Sequence, residues 1–224
     1  MDKTATIKLL EHLWTISPSG VAYWPEKKLA VVADLHLSKG AILASSGQFL
    51  PPYDSEKTLR KLQDSLTEFE VETLIFLGDS FHDTQGEHYL TEESRSIISI
   101  FKKTHTLIWI QGNHDTQEQV LGESTYSKYQ VPPFIFRHEP SDPHSLNEGE
   151  FEFSGHLHPK HTLNIQGRKI RRPCFIETEN QLIMPAFGSY TGGIDSSSHF
   201  KKNTKQTLHF LTKKKILTQG KRII

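Results

Sequence analysis

Five short apolar runs in this 224-residue chain each end abruptly in polar residues. Leu29-Ala30-Val31-Val32-Ala33 stops at Asp34, and Thr73-Leu74-Ile75-Phe76-Leu77 stops at Gly78-Asp79. Thr106-Leu107-Ile108-Trp109-Ile110 runs into Gln111-Gly112-Asn113-His114-Asp115. Phe134-Ile135-Phe136 leads to His138, and Phe151-Glu152-Phe153 leads to Gly155-His156-Leu157-His158. Runs this short, bounded by turn residues, predict buried strands. Leu59, Leu62, Leu66 and Phe69 recur at helical spacing within Asp54 to Glu70, and Ile97, Ile98 and Phe101 predict a second amphipathic helix from Thr91 to Lys103. Strand, helix and strand alternate, which predicts a largely parallel sheet in the first half. After Gly155 the strands follow without helices: Thr162 to Ile165, Cys174 to Thr178, Leu182 to Met184, Thr207 to Leu211 and Ile216 to Thr218. A second, mostly antiparallel sheet packed on the first is therefore expected. No repeat, linker or composition shift divides the chain, so residues 1–224 read as one α/β domain.

Composition narrows the partners. Lys plus Arg and Asp plus Glu both number 26, so no global field points to nucleic acid or membrane. The balance hides a basic C-terminal stretch, Phe200 to Ile224, with Lys201, Lys202, Lys205, Lys213, Lys214, Lys215, Lys221 and Arg222 and no acid. Such runs are usually solvated, and this one can also help hold a polyanion. Cys174 is the only cysteine, which rules out an intramolecular disulfide. Met1 to Gly20 lacks the pattern of a signal peptide, and no apolar run reaches the roughly 18 residues of a membrane span. A soluble cytoplasmic protein is the expectation. The chain has 13 histidines, and several follow strands.

In an open α/β sheet, ligands gather beyond the carboxyl ends of the strands. The five polar clusters offer Asp34, His36, Asp79, Asn113, His114, Asp115, His138, His156 and His158 at that place. Carboxylate, imidazole and amide oxygen suit Mn, Fe, Zn and similar divalent ions. Alone, each string is ordinary turn chemistry. In order, each after a strand, they point to a metal centre.

Together Asp34-Leu35-His36, Gly78-Asp79, Gly112-Asn113-His114-Asp115, His138 and Gly155-His156-Leu157-His158 resemble the signature of the calcineurin-like metallophosphoesterase superfamily. The resemblance implies a two-sheet sandwich flanked by helices and a pair of divalent ions, Mn²⁺ foremost, with Fe, Zn, Ni or Mg as alternatives. It implies Asp34, His36, Asp79 and His158 around the first ion. Asp79, Asn113, His138 and His156 would surround the second, with Asp79 as the bridge. Paired cations lower the pKa of a bridging water to give hydroxide and clamp the phosphate oxygens. His114 falls outside that ligand set, where it can stabilise the transition state or protonate the leaving oxygen. Asp115 would orient its imidazole.

A narrower resemblance adds substrate. Gly78-Asp79-Ser80-Phe81-His82 is similar to a string in a nuclease branch of the superfamily, which would set His82 near the scissile phosphate. Arg172-Pro173-Cys174-Phe175, Met184-Pro185-Ala186-Phe187-Gly188-Ser189-Tyr190-Thr191-Gly192-Gly193 and His138-Glu139-Pro140 resemble the bacterial DNA ligase-associated metallophosphoesterases (PdeM). That resemblance implies a phosphodiesterase or endonuclease in DNA repair, beside a DNA ligase, a helicase and an exonuclease. Arg168, Lys169, Arg171 and Arg172 follow His158 closely. Arginines grip phosphates bidentately, which makes Arg171 and Arg172 candidate substrate-binding residues. No zinc-finger spacing, recognition helix or RNA-binding string is present. A pyrophosphohydrolase of a nucleotide or lipid precursor is the alternative enzyme, and a non-catalytic scaffold on the same fold is the alternative class. Retention of His114 with every candidate ligand favours an enzyme.

Overall fold

The computed structural model describes residues 4–222 except 46, 49, 50, 52, 115–118, 166 and 195–204. Two eight-stranded mixed sheets pack face to face as an α/β sandwich. Among the described residues, the first sheet contains β1 (Ala5–Leu9), β2 (His12–Ile16), β3 (Ala22–Trp24), β4 (Leu29–Val32), β5 (Thr73–Leu77), β6 (Thr106–Ile110), β7 (Gln119–Val120) and β8 (Glu123–Tyr126). Its order is β1-β2-β3-β4-β5-β6-β8-β7. The second holds β9 (Tyr129–Val131), β10 (Phe134–Phe136), β11 (Phe151–Ser154), β12 (Lys160–Ile165), β13 (Arg168–Glu177), β14 (Gln181–Ile183), β15 (Lys205–Leu211) and β16 (Ile216–Arg222). Helices α1 (Lys39–Ser45), α2 (Asp54–Leu66) and α3 (Glu92–Thr104) lie between strands of the first half.

Both expected long helices form. The Thr91 side chain accepts a hydrogen bond from Ser94 N and caps α3, satisfying one of the orphan donors of a helix start. Helix α2 ends at Leu66, before the expected Glu70, and Phe69 stacks on Tyr23 from the turn that follows.

The sheets differ from expectation in two ways. Only β4, β5, β6 and β8 run parallel in the first sheet, because the N-terminal residues add three antiparallel strands at one edge. The second sheet recruits the Phe134 and Phe151 runs, which pair parallel with each other and with β14. The basic C-terminal stretch enters this sheet as β15 and β16, paired antiparallel from Lys205↔Arg222 to Leu211↔Ile216. No helix among the described residues is long and apolar enough to cross a membrane.

Strand β4 shows how the layers are held. Leu29 and Val31 join the apolar cluster between the sheets, while Ala30 and Val32 face the cluster under α2 and α3. A strand covered on both faces reads as a continuous apolar run, as this one does. The intersheet cluster centres on Trp14, Trp24, Phe134 and Phe153. Ring centroids lie 4.4 Å apart for Trp14 and Phe153 and 5.6 Å apart for Phe134 and Phe153. A third cluster, with Cys174, Ile176 and Phe210, covers the outer face of the second sheet.

Register then sets the functional rim. Val32 pairs with Phe76, Leu77 with Ile110, and Phe136 with Phe153, so the five polar clusters leave the sheets at matching heights. The sheets meet there through a parallel bridge between Ala33 and Ala186. Phe153 is fully buried at this junction. Truncation to Ala should destabilise the protein by about 3–5 kcal/mol, read as a lower urea midpoint. A midpoint equal to the parent's would show that the intersheet core repacks around the cavity.

Candidate metal centre

Three of the turns at the rim have a backbone that ordinary side chains avoid. Asp34, His36, Asp79, His156 and His158 all have φ between 44° and 66°, the left-handed region. Non-glycine residues there cost roughly 1–2 kcal/mol each, and such strain gathers at functional sites. It persists because the backbone is pinned across turns. Asp34 N donates to Gly78 O at 3.3 Å, and His36 N donates to Asp79 O at 2.9 Å. Two glycines permit the close approach. A Cβ on Gly78, at φ +73°, would stand 2.5 Å from His138 Nδ1. One on Gly155 would stand 2.6 Å from Asp34 Oδ2.

The side chains converge into two groups. Asp34, His36, Asp79 and His158 form one, and Asp79, His138 and His156 form the other, each with its candidate ligand atoms within 4.8 Å of one another. In the first, His36 Nε2 faces His158 Nε2 at 3.2 Å, and His158 Nε2 lies 3.3 Å from Asp34 Oδ1. In the second, His138 Nε2 is 3.5 Å from Asp79 Oδ2. Asn113 Oδ1 joins this group, 2.7 Å from His138 Nε2 and 3.1 Å from His156 Nδ1. Asp79 belongs to both.

Backbone and solvent exclusion prepare these atoms. His138 Nδ1 sits 2.9 Å from Leu77 O, which can only accept, so Nδ1 carries the proton and Nε2 keeps its lone pair toward the cluster. His156 N donates to both Asp34 oxygens at 3.1 and 3.0 Å, and His114 N donates to Asp79 Oδ1 at 3.0 Å. Burial pushes the His36 imidazole down to about 2, and the neighbouring His158, Lys39, His114 and His82 act in the same direction. His36 is therefore neutral at physiological pH.

Asp34 is fully buried and Asp79 is 2% exposed. Among the described residues their ion-pair partners are histidines alone. Two buried carboxylates with no lysine or arginine paired to them among the described residues leave negative charge to be compensated, and the oxygen and nitrogen donors suit divalent transition ions. The donor set thus fits two cations sharing Asp79.

The catalytic candidates fall at the mouth. The His114 side chain is 43% exposed, and its Nε2 lies 4.0 Å from Asp79 Oδ2. His82 stacks on His114 with centroids 5.5 Å apart and stands 6.0 Å from the His36 ring. Burial lowers the His82 pKa, and the charges of Lys39 and His114 lower it further. Asp115 lies outside the described residues.

Arg171 and Arg172 are not brought together. In the β12–β13 pairing Arg171 faces Thr162 and Arg172 faces His161, so they project from opposite faces. The Arg171 guanidinium donates to Gly193 O at 3.0 Å. A Cβ on Gly193 would lie 2.3 Å from His158 O, so this backbone abuts a candidate ligand. Sequence reasoning missed Lys39, whose charge acts on both His36 and His82. Its signal was its place, in the same loop exit as Asp34 and His36.

Comparison with known proteins agrees with this geometry. The family model for calcineurin-like phosphoesterases matches residues 27–206. The chain belongs to that family. Such enzymes are hydrolases of phosphoester bonds, and the paired Asp and His groups of this chain suit their two divalent ions. Among solved structures, a nuclease, MPE, from Pseudomonas putida is 25% identical with a TM-score of 0.74, over 96% of this chain and 100% of that one. Vps29 complexed with zinc from Entamoeba histolytica is 12% identical with a TM-score of 0.39, over 88% of this chain and 99% of that one. No curated protein matches the chain.

The buried His36 gives a pH signature. Unfolded, its pKa is the ordinary 6.5, and folded it is about 2. Between these values the unfolded state binds more protons, so stability of the metal-free protein falls as pH drops below 6.5. His36→Gln should flatten that fall in urea midpoints measured against pH. Parallel profiles for parent and variant would place the acid sensitivity elsewhere.

Proposed function

We propose that this phosphoesterase is a phosphodiesterase that cleaves nucleic acid, with Asp34, His36, Asp79 and His158 holding one divalent ion and Asp79, Asn113, His138 and His156 holding a second. The observation that carries this reading is the place of Asp79 in both ligand groups. When bound, two divalent ions supply positive charge for the phosphate oxygens and a water of lowered pKa. Imidazole-rich donor sets favour Mn²⁺, Fe, Zn or Ni over Mg²⁺, and Mn²⁺ is our first choice.

The chain's own groups do the rest. His114, at the open mouth beside Asp79, donates a proton to the leaving oxygen. His82 packs flat on His114, limits its rotation and lines the leaving-group side. Lys39 adds a positive charge that acts on both His36 and His82. Backbone donors from His156 and His114 fix the carboxylate oxygens, so the ligand atoms need not reorganise. Asp115 remains the proposed support of His114. The nucleic-acid substrate is supported by the nuclease described for Pseudomonas putida MPE. A place in DNA repair beside a DNA ligase, a helicase and an exonuclease, in the cytoplasm, completes the proposal, supported by the Arg172-Pro173-Cys174-Phe175 and Met184 to Gly193 strings.

The test is Mn²⁺-dependent hydrolysis of bis(p-nitrophenyl) phosphate, its monoester and a labelled single-stranded DNA in parallel. Diester and DNA turnover support the reading, whereas turnover of pyrophosphate-containing nucleotides alone would replace it with pyrophosphohydrolase activity. His114→Ala should lower diester turnover by about a hundredfold or more while both ions stay bound. Loss of metal from that variant would put His114 among the ligands. Asp79→Asn should weaken both sites together in metal titrations, and the loss of one ion alone would move the bridge to another residue.

A further inference from the structure

Beyond the metal centre, the strand following His158 folds back as a two-stranded ribbon. Strand β12 pairs with the first half of β13 from Lys160↔Pro173 to Ile165↔Arg168. Directly opposed residues share a face, and alternate residues take opposite faces. One face therefore presents His161, Leu163, Ile170, Arg168 and Arg172. Leu163 packs on the apolar cluster of Cys174, Ile176 and Phe210, and the His161 ring lies 5.8 Å from that of Phe210. This is the side turned to the second sheet.

The other face presents Lys160, Thr162, Asn164, Lys169 and Arg171, with no apolar residue except Pro173. Thr162, Asn164, Lys169 and Arg171 are exposed. Lys160 donates to Thr191 O at 2.7 Å and Arg171 to Gly193 O at 3.0 Å, which anchors the face beside His158. Burial lowers the Lys160 pKa and Arg171 lowers it further, the mark of two cations held close without an intervening acid. No Asp or Glu occurs from Pro159 to Ile176, although the chain as a whole is neutral. Lys169 and Arg171 form no ion pair among the described residues.

We propose that the Lys160, Arg171 and Lys169 face of this hairpin is a phosphate track that holds the nucleic-acid strand flanking the scissile bond. Positive side chains rise in steps from the candidate ligand His158 toward the hairpin tip. From Lys160 to Ile165 the strand covers about 17 Å, enough for several phosphates. Thr162 and Asn164 stand between the cations as neutral hydrogen-bonding groups for phosphate or sugar oxygens. Arg172, named with Arg171 from sequence, lies on the opposite face and takes no part. This inference rests on the phosphodiesterase reading for the identity of the strand, but its test does not require turnover.

The experiment measures binding of a labelled single-stranded oligonucleotide to the full-length protein by anisotropy, without added divalent ion and at several salt concentrations. Lys169→Gln with Arg171→Gln should weaken affinity several-fold. The log–log salt slope should shrink by about 1.4, two single-strand phosphate contacts at about 0.7 each. Arg168→Gln with Arg172→Gln removes equal charge from the other face and should leave the slope within about 0.5 of the parent's. Because Arg171 also contacts Gly193 O, Lys169→Glu serves as a second variant at a side chain free of such a contact. Equal slopes for the two double variants, or unchanged binding by Lys169→Glu, would overturn the track. If the parent hydrolyses the small diester while the track variants bind normally, the hairpin proposal alone fails. If the parent shows no diesterase activity yet loses DNA binding through Lys169 and Arg171, the functional reading fails and the track stands.

Discussion

Two carboxylates held out of water with no lysine or arginine paired to them among the described residues set the terms for the rest of this structure. Taking a carboxylate out of water costs several kcal/mol unless charge and hydrogen bonds compensate. Asp34 receives the His156 N–H, shared between its two oxygens, and Asp79 receives one hydrogen bond from His114 N. Those contacts offset part of the penalty, and neutral imidazoles such as His36 add no charge. The remaining demand is for cations, and the ligand atoms are spaced to receive them. Burial that destabilises the metal-free protein is the same property that gives the pocket its affinity.

Holding such a cluster needs a scaffold that over-determines the backbone. Parallel pairing of β4, β5 and β6 brings Asp34, Asp79 and Asn113 to one level, and parallel pairing of β10 and β11 does so for His138 and His156. The turns beyond those strands adopt left-handed φ at five of the candidate ligands. Isolated, each would relax. Here Asp34 is tied to Gly78, His36 to Asp79, Gly155 to His138, and Gly188 to Asp34 by backbone hydrogen bonds that cross between loops. The Ala33–Ala186 bridge adds a tie between the two sheets. Packing of Trp14, Trp24, Phe134 and Phe153 keeps the sheets from sliding, so strain at the rim is balanced by the core beneath it.

The ligand strings were legible because a strand buried on both faces is a plain apolar run, and its end is marked by the first polar residue. Asp34, Asp79, Asn113, His138 and His156 could therefore be placed without coordinates, and the structure gathers them. Sheet membership was less legible. Phe134-Ile135-Phe136 looks like Leu74-Ile75-Phe76 locally, and only the course of the connection sends it to the second sheet. The edge strands β1 and β2 carry two-residue alternation, with Leu13 exposed, too short and too polar to stand out. Arg171 and Arg172 are neighbours in sequence, yet strand pairing turns them apart. Register, which depends on the partner strand, cannot be read from one strand's composition.

Net charge misleads for the same reason. Equal numbers of acids and bases, 26 each, argue against a polyanion partner only if the charges are mixed evenly over the surface. Strand pairing segregates them: acids close on the pocket at Asp34 and Asp79, and bases without an acid among them line the hairpin that leaves it. The pocket gathers two carboxylates with no lysine or arginine paired to them among the described residues, and bound ions would invert that local sign. The hairpin is cationic in either state. Attraction for a flanking strand and activation of the bond to be cut therefore rest on separate charges, joined by the three residues from His158 to Lys160. A small diester senses only the first of these two fields, whereas a polymer senses both, which makes chain length of the substrate a variable the fold itself distinguishes.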